Sequence, residues 1–457
     1  MKYVATSCLP VSIEDAFAYH ERPGALERLV PPWESVVVES SDGSLEVGSE
    51  VVLKTSVLGV PVRWVARHTE YDPPKLFADT QVSGPFATWD HRHEFDEQGD
   101  ECQLTDRVEY RVPVGALGQA MGGWKARATL ESMFSYRHRV TRDDLALQSA
   151  YRLTPKRIAI SGCSGLVGRQ LSSLFTLLGH QTLPIVRKPT DKASEIAAWH
   201  DEKETEKFRS VDAVVHLAGK SIADARWSDS VRREIRASRV DKTRQLCESL
   251  AGLDEKPEVL VCASATGIYG NRGDEILDET SAVGDDFLAD VAREWEEACR
   301  PAAEAGIRVV NARFGIVLSP QGGALQKMML PAKFAGGALG NGKQWWSWIA
   351  LDDVLGAIYH AISNKELRGP VNYVAPDPIQ NRDFASTLGK VIGRPALFPA
   401  PAFALRAAMG EMADALLLAS TRVVPGKLQE SGYEFRFPDL DAFLRYTLGY
   451  DRLESTE

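Results

Sequence analysis

Hydrophobic and polar positions follow two different rhythms along the chain, and the change falls near residue 150. Before it, short strand-like runs at 36–39, 49–55, 62–71, 89–95 and 102–112 are separated by polar turn clusters such as Ser41-Asp42-Gly43 and 96–100. The segment 12–20, just after Pro10, reads as a short helix, and 118–141 as a longer one. A helix, several antiparallel strands and a closing helix predict an α+β domain over 1–150, with a sheet curled around a helix. From 156 to 457 apolar runs of strand length (158–161, 182–187, 213–218, 259–263, 308–314) alternate with helix-length segments. That alternation predicts α/β architecture with a doubly wound parallel sheet. Thr154-Pro155, just before the first such strand, marks the boundary.

Composition narrows the class without changing this picture. The 457 residues are 44% hydrophobic and 25% charged, which fits a folded globular chain and excludes a disordered one. With 53 Lys+Arg against 63 Asp+Glu, the net charge of −10 gives no basic surface for nucleic acid or anionic membrane. Cys8, Cys102, Cys163, Cys247, Cys262 and Cys299 lie far apart with no Cys-x-x-Cys pair, so neither a zinc knuckle nor a disulfide scaffold is expected. No apolar core precedes Glu14 and Asp15, so no secretory signal is expected. The most apolar stretch, 403–419, is cut by Arg406, Glu411 and Asp414, so no membrane span is expected and the cytoplasm is the default location.

The chemistry-bearing sequence is Gly162-Cys163-Ser164-Gly165-Leu166-Val167-Gly168, which follows a strand and precedes a helix reaching about residue 179. Glycines at this spacing let the backbone approach a pyrophosphate, whose charge sits at the positive end of the helix. Cys163 reads as a small filler rather than a reactive thiol. Arg187 and Lys188 end the second strand, 19 residues beyond Gly168 at Arg187, where an NAD site usually carries an acid for the ribose hydroxyls. Basic residues there accommodate a 2′-phosphate and favour NADP(H), unless they only solvate a loop. Leu217, Ala218 and Gly219 after the third strand stand at the other strand end expected to face the cofactor, where small residues let a dinucleotide pass closely, while His216 reads as a packed side chain.

Together these residues resemble the extended short-chain dehydrogenase/reductase superfamily, and more finely its atypical branch named for nucleoside-diphosphate-sugar epimerases. The marks are SGCSGLVG at 161–168, VVHLAG at 214–219, SATGIYG at 264–270 and GDDFLADVAREWE at 284–296. RFGIVLSPQGGAL at 313–325, QWWSWIALDDV at 344–354, PVNYVAPDPIQN at 370–381 and the tail at 393–413 extend the resemblance over about 156–450. It implies an NADP-binding Rossmann domain with a small C-terminal substrate lobe, in which a Ser or Thr orients a substrate carbonyl. It also implies a Tyr with a Lys four residues later, whose charge lowers the Tyr pKa for proton transfer.

The hydroxyl is present, at Ser264 or Thr266, but the Tyr–Lys pair is not: Phe287 and Val291 stand where it belongs. The chain's one Tyr-x-x-x-Lys, Tyr71 to Lys75, spans Pro73-Pro74 and cannot be helical. Tyr269 is the nearest alternative proton donor, or else packs at the strand end. Trp345, Trp346 and Trp348 replace the expected diphosphate-holding Arg, and read either as a wall over a ring-shaped ligand or as lobe core. Asp352 and Asp353 are expected to cap the following helix.

The first domain resembles the START-like, polyketide-cyclase-like helix-grip fold through 12–17, 86–95 and 105–110. The resemblance implies an apolar cavity for a hydrophobic small molecule. His91 and His93 share one strand face at metal-ligand spacing, but no third ligand is evident nearby, so a cross-strand pair on a wet face is expected and no metal. The reading is an NADP(H)-dependent oxidoreductase or epimerase-like enzyme, with Ser264 and Tyr269 as catalytic candidates, acting on a small and hydrophobic molecule. A non-catalytic NADP(H) sensor or scaffold, or a hydrophobic-ligand carrier, is the alternative.

Overall fold

The computed structural model describes residues 1–57, 59–113, 115–188, 192, 194–197 and 206–451. Contacts divide it into two compact units: Met1–Leu153 with Ser173–Gly179 and Arg445–Glu457, and Thr154–Ser172 with His180–Leu444.

In the first unit, β1 (Lys2–Leu9), β2 (Val37–Ser41), β3 (Glu50–Val57), β4 (Val60–Asp72), β5 (Leu76–Ser83), β6 (Thr88–Gln98) and β7 (Glu101–Arg111) form one antiparallel sheet in the order β1-β7-β6-β5-β4-β3-β2. Helices α1 (Ile13–Glu21) and α2 (Ala25–Leu29) connect β1 to β2, and α3 (Gly115–Tyr151) follows β7. Ser12 caps α1 by accepting from the Asp15 backbone N–H, as a Ser at that position should. The alternating burial of β7 places Val108 and Tyr110 on one face, where they pack with Tyr3, Trp89 and the α3 residues Leu130 and Phe134. This is the expected sheet-and-helix layering. β1 and β5 were not expected from the sequence; both alternate imperfectly and carry several polar residues.

The second unit contains the expected α/β architecture. β8 (Arg157–Ser161), β9 (Gln181–Ile185), β10 (Ala213–His216) and β11 (Val259–Ala265) are joined by strands Arg308–Phe314 and Gly369–Tyr373. All pair in parallel, with β8 between β9 and β10, so the chain reverses its winding direction at β8. Strands covered on both faces need no polar alternation, and β8 and β10 are buried almost throughout. Ala159, Val214, Leu260 and Val309 from four strands pack on Leu246 and Leu250 of helix Asp229–Ala251 and on Trp295. The sixth strand, Gly369–Tyr373, escaped the sequence reading because it is short and begins with Gly and Pro. A lobe follows, with paired short strands Trp345–Trp346 and Ile379–Gln380 and helix Asn381–Val391. No helix among the described residues is long and apolar enough to cross a membrane.

Candidate functional site

The winding reversal at β8 opens a crevice outside the carboxyl ends of β8 and β10, the usual ligand position in open α/β sheets. The turn leaving β8 is built on contacts that only glycine permits. Gly162 has φ +77°, and its carbonyl accepts from the Gly165 N–H at 2.9 Å. A Cβ on Gly168, in the first turn of α4 (Leu166–Leu177), would lie 2.2 Å from the Gly162 oxygen. A Cβ on Gly162 would lie 3.1 Å from the Ala218 nitrogen. The cradle therefore fits the close backbone approach that a dinucleotide pyrophosphate needs.

Ser161, which the sequence reading did not single out, ties the two strand ends together. Its Oγ accepts from the backbone N–H groups of Leu217 and Ala218, both at 3.1 Å, and lies 2.7 Å from His216 Nδ1. The other His216 nitrogen is 3.0 Å from Thr243 Oγ1. Burial pushes the His216 pKa down to about 4, so at neutral pH it is the packed neutral ring that was expected.

A cleft of about 330 Å³ begins at this turn. Gly162, Gly165, Leu166, Val167, Gly168 and Leu217 line one side, and Ser264 stands on the wall as well. Ser164 and Gly219 are exposed in the two loops, and Ala218 is held by its N–H to Ser161. Arg187 and Lys188 are exposed just beyond β9 and lie off the cleft wall. The cation at the cleft is instead Arg239, which sequence reasoning missed because it lies mid-helix among other basic residues. Its guanidinium stacks 5.1 Å from the Trp295 ring centre and donates to the Lys220 carbonyl, and burial lowers its pKa to about 10.

Ser264 starts a chain of polar groups. Its hydroxyl donates to Glu296 Oε1 at 2.7 Å. Arg313 grips the same carboxylate twice, Nε to Oε1 and Nη2 to Oε2, each at 2.8 Å. Its remaining arm donates to the Tyr269 hydroxyl at 2.9 Å, which in turn donates to Asn372 Oδ1 at 2.7 Å. Glu296 and Arg313 were legible only as members of the motifs at 284–296 and 313–325. Tyr269, just beyond β11, is fully buried and off the cleft wall, and its hydroxyl is engaged on both sides. Burial pushes its pKa up, which is the wrong direction for a proton donor poised near neutrality. Thr266 also turns away, donating to the Phe314 carbonyl. Where a Tyr–Lys pair was absent by sequence, helix Phe287–Glu297 presents Leu288, Val291, Ala292 and Trp295 to the cleft. Phe287 packs on Trp227.

The tryptophan alternative resolves toward lobe packing. Trp346 and Trp348 are buried, with Trp348 donating to the Asp377 carbonyl and packing on Phe443. Trp345 donates to Asp274 and lies under the Arg422 guanidinium. Helix Leu351–Ser363 starts from Ala350 without a side-chain cap, contrary to expectation. Asp353 instead accepts from the Tyr433 hydroxyl and from the Arg436 and Phe437 N–H groups, and burial raises its pKa to about 6.

In the first unit, the histidine pair of β6 does not lie on a wet face. His91 is buried and His93 largely so, and the carboxylate of Asp106 on β7 accepts from His91 Nε2 at 2.9 Å. A third candidate ligand, Asp79, comes from β5, where it pairs directly with His91. Placed on the preceding strand, across the turn between β5 and β6, it was invisible to spacing along the chain.

The sequence signature described as the NAD dependent epimerase/dehydratase family matches residues 158–375. That of polyketide cyclase / dehydrase and lipid transport matches 9–134, and a domain of unknown function matches 400–447. An epimerase family protein of Mycobacterium bovis is 39% identical over 293 residues, which are 63% of this chain and 96% of the relative. The solved nucleoside-diphosphate sugar epimerase of Corynebacterium glutamicum is 32% identical, with 98% of this chain and 91% of that one covered at a TM-score of 0.80. The human epimerase family protein SDR39U1, solved with NADPH, is 31% identical over 64% of this chain and 99% of its own, with a TM-score of 0.59.

Proposed function

The chain belongs to the epimerase family of NAD dependent epimerase/dehydratase proteins, and from that premise we propose that it binds NADP(H) and works as an oxidoreductase or epimerase-like enzyme on a small molecule. The observation that carries this reading is the glycine cradle, closed to any Cβ at Gly168, opening into the same cleft as Ser264. The backbone of Gly162, Ser164, Gly165, Leu166, Val167 and Gly168 would hold the pyrophosphate at the start of α4. Leu217, Ala218 and Gly219 would flank the dinucleotide, and Arg187 and Lys188 would meet the 2′-phosphate. Hydride chemistry is what a nicotinamide supplies when bound there.

The protein's part is to orient the substrate and place a proton. Because the Ser264 hydroxyl hydrogen is directed to Glu296, the oxygen is left to accept from a substrate hydroxyl. A proton taken at Ser264 Oγ would pass to Glu296 Oε1, whose position Arg313 fixes through two bonds, and carbonyl reduction would run the same transfer in reverse, from Glu296 through Ser264 to the forming alkoxide. The apolar side chains that helix Phe287–Glu297 turns to the cleft, Leu288, Val291, Ala292 and Trp295, would keep water from that point.

Titrating NADPH and NADH into wild type and Arg187→Ala tests the cofactor claim. We expect NADPH preference in wild type and its loss in the variant; an unchanged preference removes the 2′-phosphate role. With a panel of carbonyl compounds, NADPH should be consumed, and Ser264→Ala should slow that consumption by about a hundredfold or more. A variant as fast as wild type removes Ser264 from the site.

Phe287, Val291 and the engaged Tyr269 favour one second reading, a non-catalytic NADP(H) sensor or scaffold. Tight NADPH binding without turnover across the panel would support it. The match of residues 9–134 to a family that includes lipid transport supports a hydrophobic ligand for the first unit.

A further inference from the structure

The interior face of the first unit's sheet carries a polar constellation that the dinucleotide reading leaves unused. His68 on β4, Asp79 on β5 and His91 on β6 are successive partners across three neighbouring strands, and His93 lies two residues beyond His91 on the same face. We propose that Asp79, His91 and His93 bind one divalent first-row transition-metal ion inside the first unit.

The donor set comes first. One nitrogen from each ring and one carboxylate oxygen lie within 4.8 Å of one another, and His91 Nδ1 is 3.6 Å from Asp79 Oδ2. Such spacing suits ligands gathered around a single ion. Two imidazoles with one carboxylate select zinc-like or iron-like divalent ions over calcium or magnesium, which prefer all-oxygen sites. Three protein ligands also leave coordination positions for water or a small molecule.

The surroundings match what metal-binding histidines require. A histidine ligand normally gives its other ring nitrogen to a carboxylate, which fixes the ring. Asp106 supplies that carboxylate: it accepts from His91 Nε2, and its Oδ1 is 2.6 Å from His93 Nδ1, out of line for a hydrogen bond. Asp106 is itself held from α3, where His138 Nε2 meets its Oδ2 at 2.7 Å, and Ser7 Oγ lies 2.7 Å from His138 Nδ1. A separate observation points the same way. His68 is 7% exposed and sits directly across from Asp79, yet its Nδ1 has no hydrogen-bond partner. Buried polar atoms without partners are rare and costly, and commonly mark an ion or a ligand.

The test uses the untagged full-length chain, stripped with chelator and titrated with Co²⁺ while visible d–d bands are followed. We expect saturation at one ion per chain. Asp79→Asn and His93→Gln should each weaken binding about tenfold or more, while Asp90→Asn, at an exposed position of the same strand, should not. No saturable uptake by wild type, or equal uptake by the two ligand variants, overturns the site. X-ray absorption at the cobalt edge of the wild-type complex keeps the test decisive if those variants fail to fold. Two imidazoles in the coordination shell support the assignment, and an oxygen-only shell refutes it. NADPH titration of the same samples reads the other unit separately, so failure of one proposal leaves the other measurable.

Discussion

At the scale of single residues, His216 and Ser264 do opposite things with burial. His216 is enclosed between Ser161 and Thr243 and stays neutral, while Ser264 stands at a cleft wall and hands its hydrogen to a charged partner. The His216 pKa lies near 4 in the folded chain and near 6.5 once unfolded, so the unfolded state binds the extra proton first. Stability from this residue is complete above about pH 6.5 and is lost as pH falls toward 4. Urea denaturation of the second unit should therefore show about 2 kcal/mol less stability at pH 5 than at pH 7.5 from this residue. A His216→Gln variant, which can still bond Ser161 and Thr243, should show a shallower pH slope. An identical slope would assign the acid sensitivity elsewhere.

Among elements, the first unit is pinned by one ion pair that no pattern of hydrophobicity announces. Arg28 of α2 donates to Asp144 of α3 through Nε and Nη2, each at 2.9 Å, and Tyr19 of α1 adds its hydroxyl at 2.9 Å. Arg28 and Asp144 are almost fully buried, so removing one strands the other in an apolar interior. Asp144→Ala should cost about 3–5 kcal/mol by urea denaturation, and Arg28→Met with Asp144→Leu should recover much of that. Elements were legible wherever a local rule governs them: the short helix at 12–20, the apolar runs of β8 and β10, and the glycine turn after β8. They were illegible where tertiary pairing decides. β5 is read as a strand only once β4 and β6 flank it, and Asp353 bonds backbone groups some 80 residues away rather than its own helix. For the same reason Ser264 could be singled out in advance, but Glu296 and Arg313 could not be joined to it.

On the scale of the whole molecule, the epimerase/dehydratase signature at 158–375 falls in the second unit except for Ser173–Gly179, and the chain nearly spans relatives that it matches over 293 residues. A chain beginning at Lys156 should therefore fold and bind NADPH with unchanged affinity, as read by fluorescence titration. Lost affinity in a folded truncation would show that the first unit contributes to the cofactor site. The two units also stake their chemistry on different aspects of folding. The cleft of the second unit depends on the turns leaving β8 and β10 and on helix side chains facing them. The constellation on β4, β5 and β6 depends on register, because His68, Asp79 and His91 share a rung and His93 lies two residues beyond it. Slipping β5 by a single residue would send Asp79 to the outer face and bring Ala78 or Thr80 inward in its place. Cobalt uptake would then weaken at least as much as it does in Asp79→Asn, making it a proofreader of strand alignment that a melting temperature cannot replace.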